Sequence, residues 1–163
     1  MLQASLQRVL EKLRTEVQAF YGERLVSLVI FGSVGRGTPG FDSDIDFLVI
    51  VRDPPAGRMK RIREFDAVEE RINPLIESLR PDGIHTSLSP VIKSPEEALQ
   101  GSPLFFDMVE DAKILFDPGG FFAGVLAKSR NRLQALGSQR VRLGNAWYWI
   151  LKPDIQRGEV FEI

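Results

Sequence analysis

Two aspartates, Asp44 and Asp46, are the residues of this sequence whose types and spacing most readily support chemistry. They begin the run DIDFLVIV, residues 44–51, whose short apolar character predicts a buried strand. Alternate side chains of a strand share a face, so we expect both carboxylates on one side, about 6.6–6.8 Å apart at their Cα atoms. Oxygen ligands placed in this way suit a hard divalent cation. Asp44 and Asp46 are therefore the predicted metal ligands and catalytic residues.

The segment before this strand has the composition of a phosphate-binding loop. Residues 32–43 read GSVGRGTPGFDS, with four glycines and a proline, and predict a loop with demanding backbone angles. Gly32 would let the backbone approach a ligand, Ser33 offers a hydroxyl, and Arg36 adds a charge suited to a phosphate. The later glycines are expected to turn backbone N–H groups toward the anion. Gly32, Ser33 and Arg36 are the predicted nucleotide-binding residues, with an exposed loop charge as the alternative interpretation of Arg36.

A divalent cation beside a phosphate-binding loop is the combination that in-line nucleotidyl transfer requires. The cation would neutralise charge on the α-phosphate and activate an attacking hydroxyl, while pyrophosphate leaves. Two acids at the head of an apolar strand would otherwise repel one another and be costly to desolvate. The sequence thus predicts a site in which metal and nucleotide are bound together.

The surrounding sequence predicts an α/β fold with a small sheet and helices packed against it. The apolar positions from Leu2 to Phe20 recur at helical spacing, and LVSLVIF, residues 25–31, is typical of a strand. The further predicted elements are a helix over 59–79, a strand over 84–92, short helices from 95 (with Ser94 as N-cap) and 103–110, a strand over 112–116 and a helix over 120–139. The stretch AWYWIL, residues 146–151, fits no predicted element.

The composition excludes several kinds of site. The chain has 163 residues, no cysteine and one histidine, which argues against disulfides, thiolate metal sites and a histidine-rich zinc centre. Its apolar runs are too short to cross a bilayer, and its first residues lack the pattern of a secretory signal. We therefore expect no membrane association and a cytoplasmic location.

Charge is unevenly distributed along the chain. Residues 1–117 contain 14 basic and 19 acidic residues, whereas residues 118–153 contain six basic residues and no acid. The basic segment could hold an acidic partner or nucleic acid, or it could be a solvated helix face. The trio Trp147-Tyr148-Trp149 could stack on bases, form a protein interface or pack on the core. Of the two functional interpretations the interface is favoured, because no nucleic-acid-binding motif is present.

The pattern Gly32-Ser33, ten residues, then Asp44-x-Asp46 resembles the signature of the minimal nucleotidyltransferases in the DNA polymerase beta-like superfamily. That family also shares the local sequences GSVGRG and SDIDFLV and the element order helix, strand, loop, strand, helix. The resemblance covers residues 25–51 and extends weakly through residues 102–117. It implies a single nucleotidyltransferase domain over residues 1–163, with a mixed sheet in a core at about 20–117 and a helical extension over 118–163.

The resemblance also implies an activity and a partner. Members of this family use Mg²⁺ (or Mn²⁺) to transfer a nucleoside monophosphate, usually from ATP, to a hydroxyl. Many small members are antitoxins that adenylylate or bind a HEPN-type toxin protein. We expect an ATP-dependent enzyme with such a partner, and homo-oligomerisation stays open.

One departure from the family concerns a third carboxylate, which usually lies on the strand after the intervening helix. That strand here reads IHTSL, residues 84–88, so His85 or Ser87 stands where an acid is expected. Asp82 could substitute if the chain bends, and His85 could act as base or ligand. The departure leaves an alternative open, in which the protein is a weak or inactive nucleotidyltransferase that neutralises its partner by direct contact.

Overall fold

The computed structural model describes residues 1–144 and 146–163. The helices in this part of the chain are α1 Leu2–Tyr21, α2 Gly32–Arg36, α3 Arg58–Glu77, α4 Pro95–Gln100, α5 Leu104–Asp111 and α6 Phe121–Ala135. The strands are β1 Leu25–Phe31, β2 Ile45–Val51, β3 Leu88–Lys93, β4 Lys113–Phe116, β5 Gln139–Leu143 and β6 Ala146–Ile150. Among these helices none is long and apolar enough to span a membrane.

The first four strands form one mixed sheet in the order β3-β2-β1-β4. β1 runs antiparallel to β2 and β4, while β2 runs parallel to β3. The parallel pair is joined through α3, as a parallel connection requires a long crossover. The predicted α/β fold with a small mixed sheet is confirmed.

Helices cover both faces of the sheet, which explains why β1 and β2 are apolar throughout. On one face α1 and α3 pack against the odd-numbered residues of β2, with Leu13, Val49 and Phe65 among the fully buried side chains. On the other face Leu48 and Ile50 pack with residues of α4, α5 and α6. A strand that is buried on both faces has apolar residues at nearly every position, instead of alternating apolar and polar residues.

The predicted boundaries are wrong in two places near the site. Residues 32–36, expected to be loop, form the short helix α2. The third strand was expected from Ile84 but begins at Leu88. The amide of Ile84 donates to the carbonyl of Leu79, which closes a turn, and the amide of His85 donates to the carbonyl of Phe41 in a loop. Residues 84–85 therefore do not extend β3.

The expected helical extension over residues 118–163 is also wrong beyond α6. That helix ends at Ala135, and Gly137 follows with a φ of 68°, the left-handed conformation that commonly ends helices. The sequence QRVRL then alternates at the period of a strand, and β5 pairs antiparallel with β6 to form a hairpin. The unplaced AWYWI segment is thus a strand, β6.

Candidate active site

The two aspartates stand at the edge of the sheet where β2 begins. Asp46 is the second residue of β2 and is partly buried, while Asp44 immediately precedes the strand and is exposed. Ile45 between them is fully buried and belongs to the core under α1 and α3. By alternation, the two carboxylates therefore share the opposite face of the sheet.

Gly32 lies directly against the carboxylate of Asp46. Phe31, the residue before it, is the cross-strand partner of Asp46, and Gly32 turns the chain out of β1 with a φ of 65°. A Cβ at Gly32 would lie 2.4 Å from Oδ2 of Asp46 and 3.3 Å from its Cγ. Only glycine combines this close approach with this backbone angle at low cost. The structure thus brings the predicted loop and the predicted metal ligand together.

Ser33 follows Gly32 as the second residue of α2 and is partly exposed. Its carbonyl accepts the amide of Thr38, closing the turn after the helix. No hydrogen bond to its hydroxyl is found within residues 1–144 and 146–163. The hydroxyl beside Gly32 is therefore available to a ligand.

Arg36 is the last residue of α2, and its guanidinium is engaged within the protein. Its Nη1 donates to Oδ2 of Asp111 at 2.9 Å. Gly35 explains how α2 reaches Asp111, since a Cβ there would lie 2.5 Å from the carbonyl oxygen of that residue. The amide of Gly37 donates to the carbonyl of Val34. The expectation that these later glycines direct amides at an anion is therefore wrong for Gly37, while Gly35 permits close packing.

Two serines of the β3 side stand next to the aspartates. Ser87 donates from Oγ to Oδ1 of Asp44 at 2.6 Å, and its carbonyl accepts the amide of Ile45. In the parallel pairing of β2 with β3, the partner of Asp46 is Ser89. Ser89 is therefore the β3 residue beside Asp46, while Ser87, one of the positions expected for the third acid, is the one that contacts Asp44. Sequence reasoning missed Ser89 because it began this strand four residues too early.

The other candidates for the third acidic position lie outside the strand. His85 is exposed and precedes β3, where its amide bonds the loop at Phe41. Asp82 is exposed in a short 3-10 turn, Arg80–Asp82. Neither is brought into register with Asp46.

The electrostatics of the site favour a bound cation. Asp44 and Asp46 have no arginine, lysine or histidine within ion-pair distance in the described part of the chain. No cluster of three or more metal-binding side chains occurs there either. Two carboxylates still suit Mg²⁺, which commonly takes one or two from the protein and completes its shell with phosphate oxygens and water. Asp44 and Asp46 are the residues that could hold it.

A groove that includes neither aspartate lies elsewhere on the described residues. It has a volume of about 960 Å³ and runs between the α4–α5 connection and α6, lined by residues such as Phe106, Val125 and Lys128. α4 follows the carboxyl end of β3, whereas Asp46 stands near the amino end of β2, which runs parallel to β3. The groove and the aspartates are therefore at different ends of the sheet.

Comparisons with known proteins agree with this geometry. A family model for the nucleotidyltransferase domain matches residues 10–103, more than half of the chain. The "Putative protein adenylyltransferase MJ1305" of Methanocaldococcus jannaschii is 27% identical over 125 residues, which cover 76% of this chain and 80% of that protein.

Two crystal structures are similar at lower identity. Spectinomycin adenyltransferase AAD(9) from Enterococcus faecialis, solved with ATP and spectinomycin, has a TM-score of 0.55 and 12% identity, covering 80% of this chain and 66% of that one. A toxin-antitoxin structure with AMP-PNP has a TM-score of 0.44 and 16% identity, covering 83% and 90%. The first likeness supports the fold, and the second is too distant to carry an argument.

The mixed sheet, the glycine packed on a strand-borne aspartate and the extent of the family match lead to one conclusion. This chain belongs to the nucleotidyltransferase domain family and is a nucleotidyltransferase.

Proposed function

We propose that this protein transfers AMP from ATP to a hydroxyl of a partner protein, with Mg²⁺ (or Mn²⁺) held by Asp44 and Asp46. The observation that carries the proposal is the contact between Gly32 and the Asp46 carboxylate, which joins the loop and the acids in one site. The absence of a cationic partner for either acid, as far as the chain is described, supports a metal between them and the nucleotide.

Each residue has a defined part in this reaction. Gly32 presents no side chain, so the triphosphate can approach the backbone beside Asp46. Ser33 donates its free hydroxyl to a phosphate oxygen. Ser87 donates to Asp44 and so fixes the orientation of that carboxylate. When bound, the divalent cation supplies charge neutralisation at the α-phosphate and lowers the pKa of the attacking hydroxyl.

The bond changes are those of a nucleotidyl transfer. The acceptor oxygen bonds to the α-phosphorus, the bond from that phosphorus to the bridging oxygen of pyrophosphate breaks, and pyrophosphate leaves. The residue beside Asp46 on β3 is Ser89 instead of an acid, so the hydroxyl proton passes to water. We therefore expect a slow enzyme, since a positioned general base contributes about 10²–10⁴-fold to rate.

A protein acceptor is favoured by two observations. The relative from Methanocaldococcus jannaschii carries the name of a protein adenylyltransferase. In addition, the β5–β6 hairpin exposes apolar side chains on its outer face, with Leu143 71% and Tyr148 45% exposed. Exposed apolar surface of this kind is characteristic of protein interfaces. A HEPN-type toxin encoded beside this protein is the proposed acceptor, and the role is that of an antitoxin.

Label transfer tests the proposal. The protein is incubated with Mg²⁺, the product of the adjacent gene, and ATP labelled in either the α- or the γ-phosphate. We expect the partner to acquire the α-label alone, and to acquire none when Asp44→Asn/Asp46→Asn replaces the wild type. Incorporation of the γ-label, or equal α-labelling by the variant, would contradict the proposal.

The alternative function is neutralisation of the partner by contact without transfer, and the serine at position 89 is the observation that favours it. The same variant separates the two functions. Inhibition of the toxin that survives Asp44→Asn/Asp46→Asn would identify a binding module, whereas inhibition lost with the label would identify the enzyme.

A further inference from the structure

A buried carboxylate outside the proposed metal site links the phosphate loop to the C-terminal hairpin. Asp111, the last residue of α5, is only 4% exposed and accepts hydrogen bonds from two arginines. Arg140 of β5 binds both carboxylate oxygens, with Nη1 3.0 Å from Oδ1 and Nη2 2.8 Å from Oδ2. Arg36 of α2 adds one bond, from Nη1 to the same Oδ2 at 2.9 Å.

The position of Asp111 makes these partners necessary. A carboxylate at the carboxyl end of a helix opposes the helix dipole, and a buried charge is costly unless it is paired. Arg140 alone provides a two-bond fork, the geometry that best satisfies a carboxylate. The bond from Arg36 is therefore additional, and its departure would leave Asp111 paired.

The two arginines differ in how firmly they are held. The side chain of Arg140 is 14% exposed, and its guanidinium lies 4.7 Å from the ring centre of Trp147. The hairpin is fixed to α5 as well, because the indole N–H of Trp149 donates to Asp107 at 3.0 Å. Arg36 is more exposed, at 33%, and makes a single side-chain hydrogen bond to the residues that the structure describes. Of the two, Arg36 is the one that can move.

Arg36 is also the one next to the nucleotide site. It is three residues after Ser33 in α2, and residues at this spacing lie on the same side of a helix. A guanidinium there can exchange a carboxylate for a phosphate, which accepts the same forked hydrogen bonds.

We propose that Arg140 is a positioning residue for nucleotide binding: because it satisfies Asp111 with both of its terminal nitrogens, Arg36 can exchange its own bond to Asp111 for bonds to the phosphates. This inference rests on the proposed function, since it requires a nucleotide beside Ser33. It gives the β5–β6 hairpin a role in the site that acts through Asp111 and requires no contact between the hairpin and the nucleotide.

The test is the affinity for α,β-methylene-ATP with Mg²⁺, measured by calorimetry, in the full-length protein. Arg140→Gln should weaken binding about tenfold or more, because Arg36 then becomes the only partner of the buried carboxylate and is held there. Arg36→Gln should weaken binding by a similar factor, and the double variant should be no weaker than Arg36→Gln alone. The matched control is Arg142→Gln, two residues along β5. Its guanidinium lies 5.8 Å from the ring centre of the same Trp147, but it donates to the carbonyl of Gly144 instead of to Asp111, so this variant should bind the analogue normally.

A second variant separates positioning from mere structural support. Asp111→Asn removes the charge that retains Arg36, so Asp111→Asn/Arg140→Gln should bind the analogue within about threefold of the wild type. Three results would each overturn the inference. The first is weak binding by Asp111→Asn/Arg140→Gln, and the second is normal binding by Arg140→Gln. The third is a loss of affinity in Arg36→Gln/Arg140→Gln that equals the product of the two single losses. Those results leave the label-transfer outcome of Asp44→Asn/Asp46→Asn unchanged, so the inference can fail while the proposed function stands. A wild type that binds no nucleotide would overturn both.

Discussion

Replacing Gly32 with alanine would push a methyl group into the carboxylate of Asp46. The new Cβ would lie 2.4 Å from Oδ2, whereas ordinary van der Waals contact begins at 3.4 Å, so the carboxylate must retreat by the difference of 1.0 Å. The backbone adds a second cost because φ at this position is 65°. A residue with a Cβ pays roughly 1–2 kcal/mol to adopt this left-handed conformation.

The two costs fall on different properties of the protein. The backbone term reduces the free energy of unfolding by about 1–2 kcal/mol, whether or not Asp46 matters. The displacement acts on catalysis, where a shift of about 1 Å in a positioned group can cost on the order of 10²-fold in rate. We therefore expect Gly32→Ala to lower kcat about 100-fold while the protein remains folded.

Gly37→Ala is the matched control, since φ is 77° there and no atom lies within 4 Å of the added Cβ. It should lose similar stability, measured by urea unfolding, but keep its rate of label transfer within about threefold. The reasoning would be refuted if Gly32→Ala transferred label as fast as Gly37→Ala, or if both lost activity together.

Three further predictions concern the β3 side of the molecule. Ser87→Ala should lower kcat/KM about 3–10-fold with an unchanged Tm, because the exposed Asp44 loses its orienting hydrogen bond; wild-type kinetics would contradict this. Ser89→Asp should raise kcat about tenfold or more by adding an acid in the missing position, and a lower kcat would show that the position is not the family's third site. The hydrogen bond and charge of Arg61 lower the pKa of Glu97 from its ordinary value of 4.5 to about 2, so the stabilisation is present above pH 4.5 and is lost as pH falls toward 2. Urea midpoints should therefore fall less between pH 5 and about pH 2 in Glu97→Gln than in the wild type, and parallel curves would refute the linkage.

Local patterns in the sequence predicted the central elements well. β1 was predicted with its observed bounds and β2 to within one residue, because both are short β-branched runs between glycines and polar residues. The start of α4 was also predicted, since Ser94 is its N-cap as expected, and the structure adds a reciprocal hydrogen bond from the amide of Ser94 to the Glu97 carboxylate. These features depend on neighbours in the chain, which a sequence displays directly.

Features that depend on distant contacts were missed. The glycines and proline of residues 32–43 predicted a loop, but α2 forms where its last turn can pack on Asp111. The ion pairs of Asp111 join residues 75 and 29 positions away, a separation at which no periodic pattern signals contact. The assignment of Ser89 beside Asp46 required the register of two strands, which is set by packing of the sheet as a whole.

The most direct test of the central claim is Mn²⁺ binding measured by electron paramagnetic resonance with α,β-methylene-ATP present. The wild type should bind the ion with the nucleotide, and Asp44→Asn/Asp46→Asn should bind it about 100-fold more weakly while its circular dichroism is unchanged. Equal Mn²⁺ affinity in the two proteins would contradict the assignment of these carboxylates as the metal ligands of the site.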